Sequence, residues 1–209
     1  MMTERQRAAK ARACAGLLCA VSYPAVAATE AYRIDPAHTR PQFEVSHLGI
    51  STQRGRFDRT TGRVTLDREA GAGSVAIEID ATSVSTGHAP LDAALRGEDF
   101  FDVARHPTLR FRAEHLTFER GEPVSVQGEL TLLGVTHPVA LAVNRFGCTR
   151  KPFLVRTTCG ADVVATISRS AFGMSSYATL IGDEVRHVIQ VEAVKEESEP
   201  APTTSQPGG

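Results

Sequence analysis

Alternation of apolar and polar residues with a period of two runs through most of this chain and limits what it can fold into. Val75, Ile77, Ile79 and Ala81 share one face of an extended segment, with Ala76, Glu78 and Asp80 on the other. Leu109, Phe111 and Ala113 oppose Arg110, Arg112 and Glu114, and Val124, Val126, Gly128, Leu130 and Leu132 oppose Ser125, Gln127, Glu129 and Thr131. Val139, Leu141 and Val143 repeat the scheme, as do Val185, Ile189 and Val191. Successive side chains of a strand point to opposite faces, so each stretch predicts a strand with one buried and one wet face. Turn-forming residues link the stretches: Thr60-Thr61-Gly62, Gly71-Ala72-Gly73, Arg120 to Pro123 and Gly134-Val135-Thr136.

Long strands in succession leave sticky edges unless the sheet closes or packs on a second one. The expectation is an all-β fold, a barrel or a sandwich. A single helix is predicted over His88–Gly97, with Pro90 near its start and Gly97 as its stop, and a shorter turn at Ser170–Gly173. An outer-membrane barrel needs an apolar outer band, but the alternate faces here carry Arg110, Arg112, Glu114, Gln127 and Glu129. The apolar face therefore points inward, with no stable membrane insertion. Whether the interior is solid or hollow does not follow from the pattern, since small barrels do either.

The two ends read differently. Arg5, Arg7, Lys10 and Arg12 precede an apolar run from Ala13 to Tyr23, then Pro24 and Ala25-Val26-Ala27. This is the layout of a secretory signal over residues 1–27, and the run is far short of the ~20 residues that span a bilayer. Export to the periplasm is expected, leaving a domain over 28–194. The last segment, 195–209, is charged and then rich in Pro, Thr, Ser and Gly, and reads as a disordered tail. Cleavage removes four basic residues and one acid, taking the formal charge from −1 to −4, which excludes a basic nucleic-acid binder. It also removes Cys14 and Cys19. The remaining Cys148 and Cys159 flank a turn-like stretch, with no zinc or C-x-x-C spacing, and predict one structural disulfide.

None of the nucleophile-elbow, phosphate-loop, dinucleotide or zinc-protease motifs occurs, and the seven His are scattered without pairing at short spacing. No catalytic residue, metal or cofactor is expected. With nine Phe and three Tyr but no Trp, the chain also lacks the Gly-x-Trp signature of true lipocalins.

An ordered string of short motifs does resemble a known family. It begins with Tyr32-Arg33-Ile34-Asp35 and His38-Thr39, then Phe43-Glu44-Val45, His47-Leu48-Gly49 and Gly55-Arg56-Phe57. Gly97-Glu98-Asp99-Phe100-Phe101-Asp102-Val103 with His106-Pro107 follows, then Gly128 to Thr136 with Pro138-Val139, and last Ile167-Ser168-Arg169-Ser170 with Phe172-Gly173. Together they resemble the YceI-like family across about Tyr32 to Val194. Thr39 and Ala171 depart from its usual Ser and acidic residue. The resemblance implies a closed, antiparallel, up-and-down, lipocalin-like β-barrel with a long apolar pocket. Its implied partner is a lipophilic small molecule, a polyisoprenoid, quinone-like or fatty-acyl chain. Apolar chain is costly in water at about 25 cal/mol per Å², and a lined tunnel removes that cost without chemistry.

On this reading Phe43, Phe57, Leu130 and Leu132 are wall candidates. Phe100 and Phe101, adjacent in an extended chain, would close the barrel's end and pack under the helix. Asp35, His38, His47 and Arg169 are the polar groups expected to orient a head group or seal an end, with strand-end hydrogen bonding as the alternative. Arg169 suits an anionic head through its guanidinium fork. A carrier is the leading function. A stress-related scavenger of amphiphilic toxicants, or an enzyme or electron-transfer accessory acting on an isoprenoid quinone, are the alternatives, and a homodimer is left open.

Overall fold

The computed structural model describes residues 29–150 and 156–197; the expected signal over 1–27 and all of the expected tail beyond Glu197 lie outside them. The strands are β1 (Glu30–Ile34), β2 (Arg40–His47), β3 (Ser51–Phe57), β4 (Thr60–Asp67), β5 (Ala72–Asp80) and β6 (Val84–Ser85). After helix α1 (Ala89–Arg96) come β7 (Thr108–Glu119), β8 (Glu122–Leu132), β9 (Val135–Thr149), β10 (Thr158–Ser168) and β11 (Ile181–Lys195). All pair antiparallel. Eight of them close a barrel in the order β1-β4-β5-β7-β8-β9-β10-β11 and back to β1. Closure leaves the ring without an edge.

Besides pairing with β10, β11 serves two neighbours along its other edge. Its end pairs with β1 (Ala193 opposite Ile34), while Ile181–Gln190 pairs with β2 (His187 opposite Phe43). β3 and then β6 extend the wall from β2. The kink between β1 and β2 lies where β11 changes partner. There Asp35 Oδ1 accepts from Ala37 N at 2.9 Å, its Oδ2 meets His38 Nδ1 at 2.7 Å, and Thr39 Oγ1 bonds both the carbonyl and amide of Glu192. Lys195, assigned by composition to the tail, belongs to β11, because its backbone amide still finds the Thr157 carbonyl at 2.8 Å.

The helix is where the residues predict it. Asp92 in its first turn accepts from the amide and hydroxyl of Thr86, and Arg96 in its last turn donates to the carbonyls of Thr82 and Val84. These bonds hold α1 across one end of the barrel with Leu95 inward. A 3-10 turn forms at Ser170–Phe172 and ends at Gly173, whose φ of +87° suits glycine. Cys148 and Cys159 lie directly opposite each other across β9 and β10 and are joined by a disulfide, worth about 3 kcal/mol by loop closure.

Phe101 packs edge to face against Phe43 and Phe57, which are tilted against each other, at the helix end, with ring centroids 5.3–6.3 Å apart. Gly55, opposite Phe43 on β3, makes this fit possible. A Cβ there would stand 2.3 Å from Phe43 Cζ, so only glycine lets the ring fold back onto the wall. Tyr32, Ile34, Leu66, Cys159 and Ala193 form a second cluster at the opposite, disulfide end.

Two expectations need correcting. Phe100 and Phe101 sit in turns between α1 and β7, not in extended chain, so adjacency does not send them to opposite faces. Both line the interior. Phe101 is buried beneath Leu95, and Phe100 stacks on Tyr177 at 5.8 Å. Val124 is not an inward residue. Register shifts near the disulfide end put odd steps into the inward series: Ala113 is followed by Leu116, Pro123 by Val126, and Val143 by Phe146. An extra residue in one strand of a pair bends the wall and exchanges its faces.

Candidate ligand cavity

The barrel is hollow. Facing inward, Val64, Val75, Ile77, Ile79, Leu130, Val139, Leu141, Val143, Val185 and Ile189 are only half-buried, although the outer wall covers them. Their remaining accessible surface borders a single cavity of about 660 Å³. That volume is in the range of small-molecule sites, and eight strands suffice to hold one ligand. It is elongated. Ile181 and Ala193 both line it from β11, twelve steps apart. At ~3.3 Å per residue and a tilt of ~40° that is roughly 30 Å along the axis.

Lining residues that reach the surface, His47, His88 and Pro90, mark a mouth between the β2–β3 turn and the start of α1. Beside it Leu48, Ile50, Tyr177 and Leu180 are exposed, and Leu48 N is bound to the Leu180 carbonyl. Four exposed large apolar side chains at one rim are unusual for a solvated surface. The outer wall is polar: Glu44 lies between Arg54 and Arg186 at 2.9 Å from each, and Arg110 pairs with Glu78. No helix among the described residues is long and apolar enough to cross a membrane.

The expected wall residues Phe43, Phe57, Phe100, Phe101, Leu130 and Leu132 all line the cavity. The polar candidates divide. His47 stands at the mouth. Asp35 and His38 do not line the cavity; they close the β1–β2 kink, where their pairing holds the Asp35 carboxyl below, and the His38 ring above, their ordinary ranges. Arg169 borders the cavity but offers it no free donor fork. The side chain is 3% exposed and donates to four carbonyls: Gly182 (2.9 Å), Met174 (2.8 Å), Ser176 (2.9 Å) and Ile181 (3.1 Å). The expected anion site is therefore a clamp on the loop after β10 and the irregular first residues of β11, whose carbonyls the guanidinium satisfies.

His187 was not singled out by the sequence. Its ring lines the cavity from β11, its Nε2 has no hydrogen-bond partner, and burial alone lowers its pKa to about 4. The unfolded ring titrates near pH ~6.5, so both states carry it neutral above that value. As pH falls from there toward 4 only the unfolded chain gains the proton, and about 3 kcal/mol of stability is lost. His38 titrates with the opposite sign, but it cancels when variants at position 187 are compared. In urea titrations, His187→Leu is expected to gain about 2 kcal/mol relative to wild type between pH 7 and pH 5. A pH-independent difference would contradict this placement of the ring.

Comparisons with known proteins agree with this architecture. The YceI-like domain matches residues 32–193. A UPF0312 protein of Pseudomonas aeruginosa is 32% identical over 168 residues, covering 79% of this chain and 87% of the relative. Among solved structures, BcnA of Burkholderia cenocepacia superposes with a TM-score of 0.63 at 24% identity, over 76% of this chain and 98% of its own. A polyisoprenoid binding domain from Saccharophagus degradans, implicated in plant cell wall breakdown, gives 0.58 at 19% identity, over 79% and 98%. A family match from the first strand of the barrel to the last, together with a relative at this identity, places the chain in the YceI-like domain family.

Proposed function

We propose that this protein is a periplasmic carrier that holds a long apolar ligand, a polyisoprenoid, quinone-like or fatty-acyl chain, inside its barrel, and that it acts by binding and not by catalysis. The observation that carries the reading is the row of inward Val, Leu and Ile side chains left half-buried around a cavity roughly 30 Å long. Leaving that much apolar surface facing an empty or wet interior is costly, and a chain-like ligand removes the cost. Phe43, Phe57, Phe100, Phe101, Leu130 and Leu132 serve as its wall. The apolar rim at the mouth gives such a chain a route inward that avoids water. Membership of the YceI-like family and the polyisoprenoid-binding description of the Saccharophagus degradans domain support the ligand class. The basic and apolar N-terminal sequence and the disulfide agree with an oxidising, exported setting.

Native mass spectrometry of protein purified from its own periplasm tests this. A bound mass that solvent extraction removes, identified as a long prenyl or acyl species, is the expected result. An amphiphilic toxicant in its place would favour the scavenger reading. An empty lumen that takes up neither prenyl nor acyl probes would overturn the proposal.

A further inference from the structure

Two buried side-chain polar atoms lack a hydrogen-bond partner among the described residues, Thr60 Oγ1 and His187 Nε2, and both residues line the cavity. Both atoms are covered, but the residues differ: Thr60 is 1% exposed, whereas His187 is half-buried and keeps accessible surface beyond Nε2, so a turn of its ring can present a nitrogen. That ring is deeply buried from bulk water, so its accessible surface faces the lumen. An unsatisfied buried polar group is costly, and native interiors seldom keep one without a use.

The surroundings of His187 are apolar. Across the strands it stands opposite Phe43 and Ala165, and Val185 and Ile189 flank it on its own inward face. Its burial keeps it uncharged at neutral pH, and a neutral imidazole offers one donor and one acceptor. No side chain offers an anion beside it a free pair of charged donors, because four of the five Arg169 N–H groups already serve carbonyls and the other lining imidazoles, His47 and His88, are at the mouth. A charged group drawn this far in would lose its hydration uncompensated.

We infer that His187 is the recognition point for an uncharged oxygen, a hydroxyl or carbonyl carried on an otherwise apolar chain, and that it selects such lipids over pure hydrocarbons. The inference rests on the carrier reading and adds ligand polarity and a residue to it. An apolar interior alone cannot discriminate an alcohol from its hydrocarbon in the alcohol's favour, since the hydroxyl must give up water. A hydrogen bond from His187 compensates that loss at a fixed depth along the lumen.

The test uses two probes of equal length delivered from cyclodextrin, geranylgeraniol and the hydrocarbon lacking its hydroxyl. Affinities are measured for the wild type, His187→Leu and His187→Gln. Relative to wild type, the preference for the alcohol is expected to fall about tenfold in His187→Leu, with hydrocarbon affinity kept or raised. His187→Gln, which retains a neutral donor and acceptor, is expected to restore most of it. In ring-¹⁵N spectra the His187 signals are expected to shift with the alcohol and stay with the hydrocarbon. An alcohol preference unchanged in His187→Leu would overturn the inference while leaving the carrier reading intact. Failure of the wild type to bind either probe would overturn both.

Discussion

Arg169→Ala is expected to lower the unfolding free energy by about 4 kcal/mol and the melting temperature by roughly 10 °C, without a selective loss of affinity for anionic lipids. Four carbonyls converge on the one guanidinium, Met174 and Ser176 from the loop after the 3-10 turn and Ile181 and Gly182 from the first residues of β11. Hydrogen bonds to a charged donor are each worth about 1.5–3 kcal/mol, and several acting on one group do not add fully. Removing the donor leaves acceptors facing a void at 3% exposure, so the segment must open to reach water. Asp183 is tied to the same place, accepting from the Ser170 amide and pairing with Ser168, so loosening should spread to the β10–β11 junction. Arg169→Lys keeps the charge but not the planar fork and is expected to recover less than half of the loss. Urea and thermal unfolding give the magnitude. Binding of a prenyl phosphate and a prenyl alcohol to folded Arg169→Lys separates the roles: a clamp leaves their ratio unchanged, whereas a headgroup site would lose the phosphate selectively with little change in stability.

Arg169 also shows where a sequence can be read and where it cannot. Its place beside the Ser170–Gly173 turn was legible, but its role depends on carbonyls up to thirteen residues away, in a loop and at the irregular start of β11. The alternation at Ile77, Phe111, Leu130 and Leu141 was legible because β-strands place every second side chain on one face. It failed at Val124, where a register shift exchanges the faces and nothing in the residue types marks the extra residue. The helix followed from Pro90 and Gly97, and the disulfide from the two Cys left beyond the expected signal. Asp35 and His38 carry motif residues of the family, yet they serve the β1–β2 kink, a feature that exists only because β11 changes partner there. His187 left a signal that went unused. It occupies the inward position between Val185 and Ile189, and a titratable group breaking an apolar face is informative in a way an outward histidine is not. Hollowness was out of reach, because a packed interior and a lined one use the same residue types.

Leu141→Trp is expected to abolish binding of long prenyl or acyl chains, by at least tenfold in affinity, while leaving the barrel folded. Leu141 lies on β9 opposite Val126, between the aromatic cluster at the helix end and the disulfide end, and is only half-buried because it borders the lumen. In a solid core, the larger indole would overpack and cost about 1–3 kcal/mol. Beside a cavity of about 660 Å³ it has room to enter, buries more apolar surface, and is expected to leave stability unchanged or raised. The same ring obstructs a tunnel whose use depends on length. A chain halted midway leaves its remainder in water, losing about 0.8 kcal/mol for every methylene not buried, so two stranded methylenes already exceed a tenfold loss. Short probes ending before the obstruction are expected to retain most of their affinity, and this chain-length dependence distinguishes a blocked tunnel from a generally damaged protein. Since the natural sequence has no Trp, the new indole is also the only one in the chain, and its emission reports directly on its surroundings. Blue-shifted emission together with lost long-chain binding is the expected pair of results. Blue-shifted emission with long-chain binding unchanged would mean that the lumen is not where the chain resides, and the carrier proposal would fail with it.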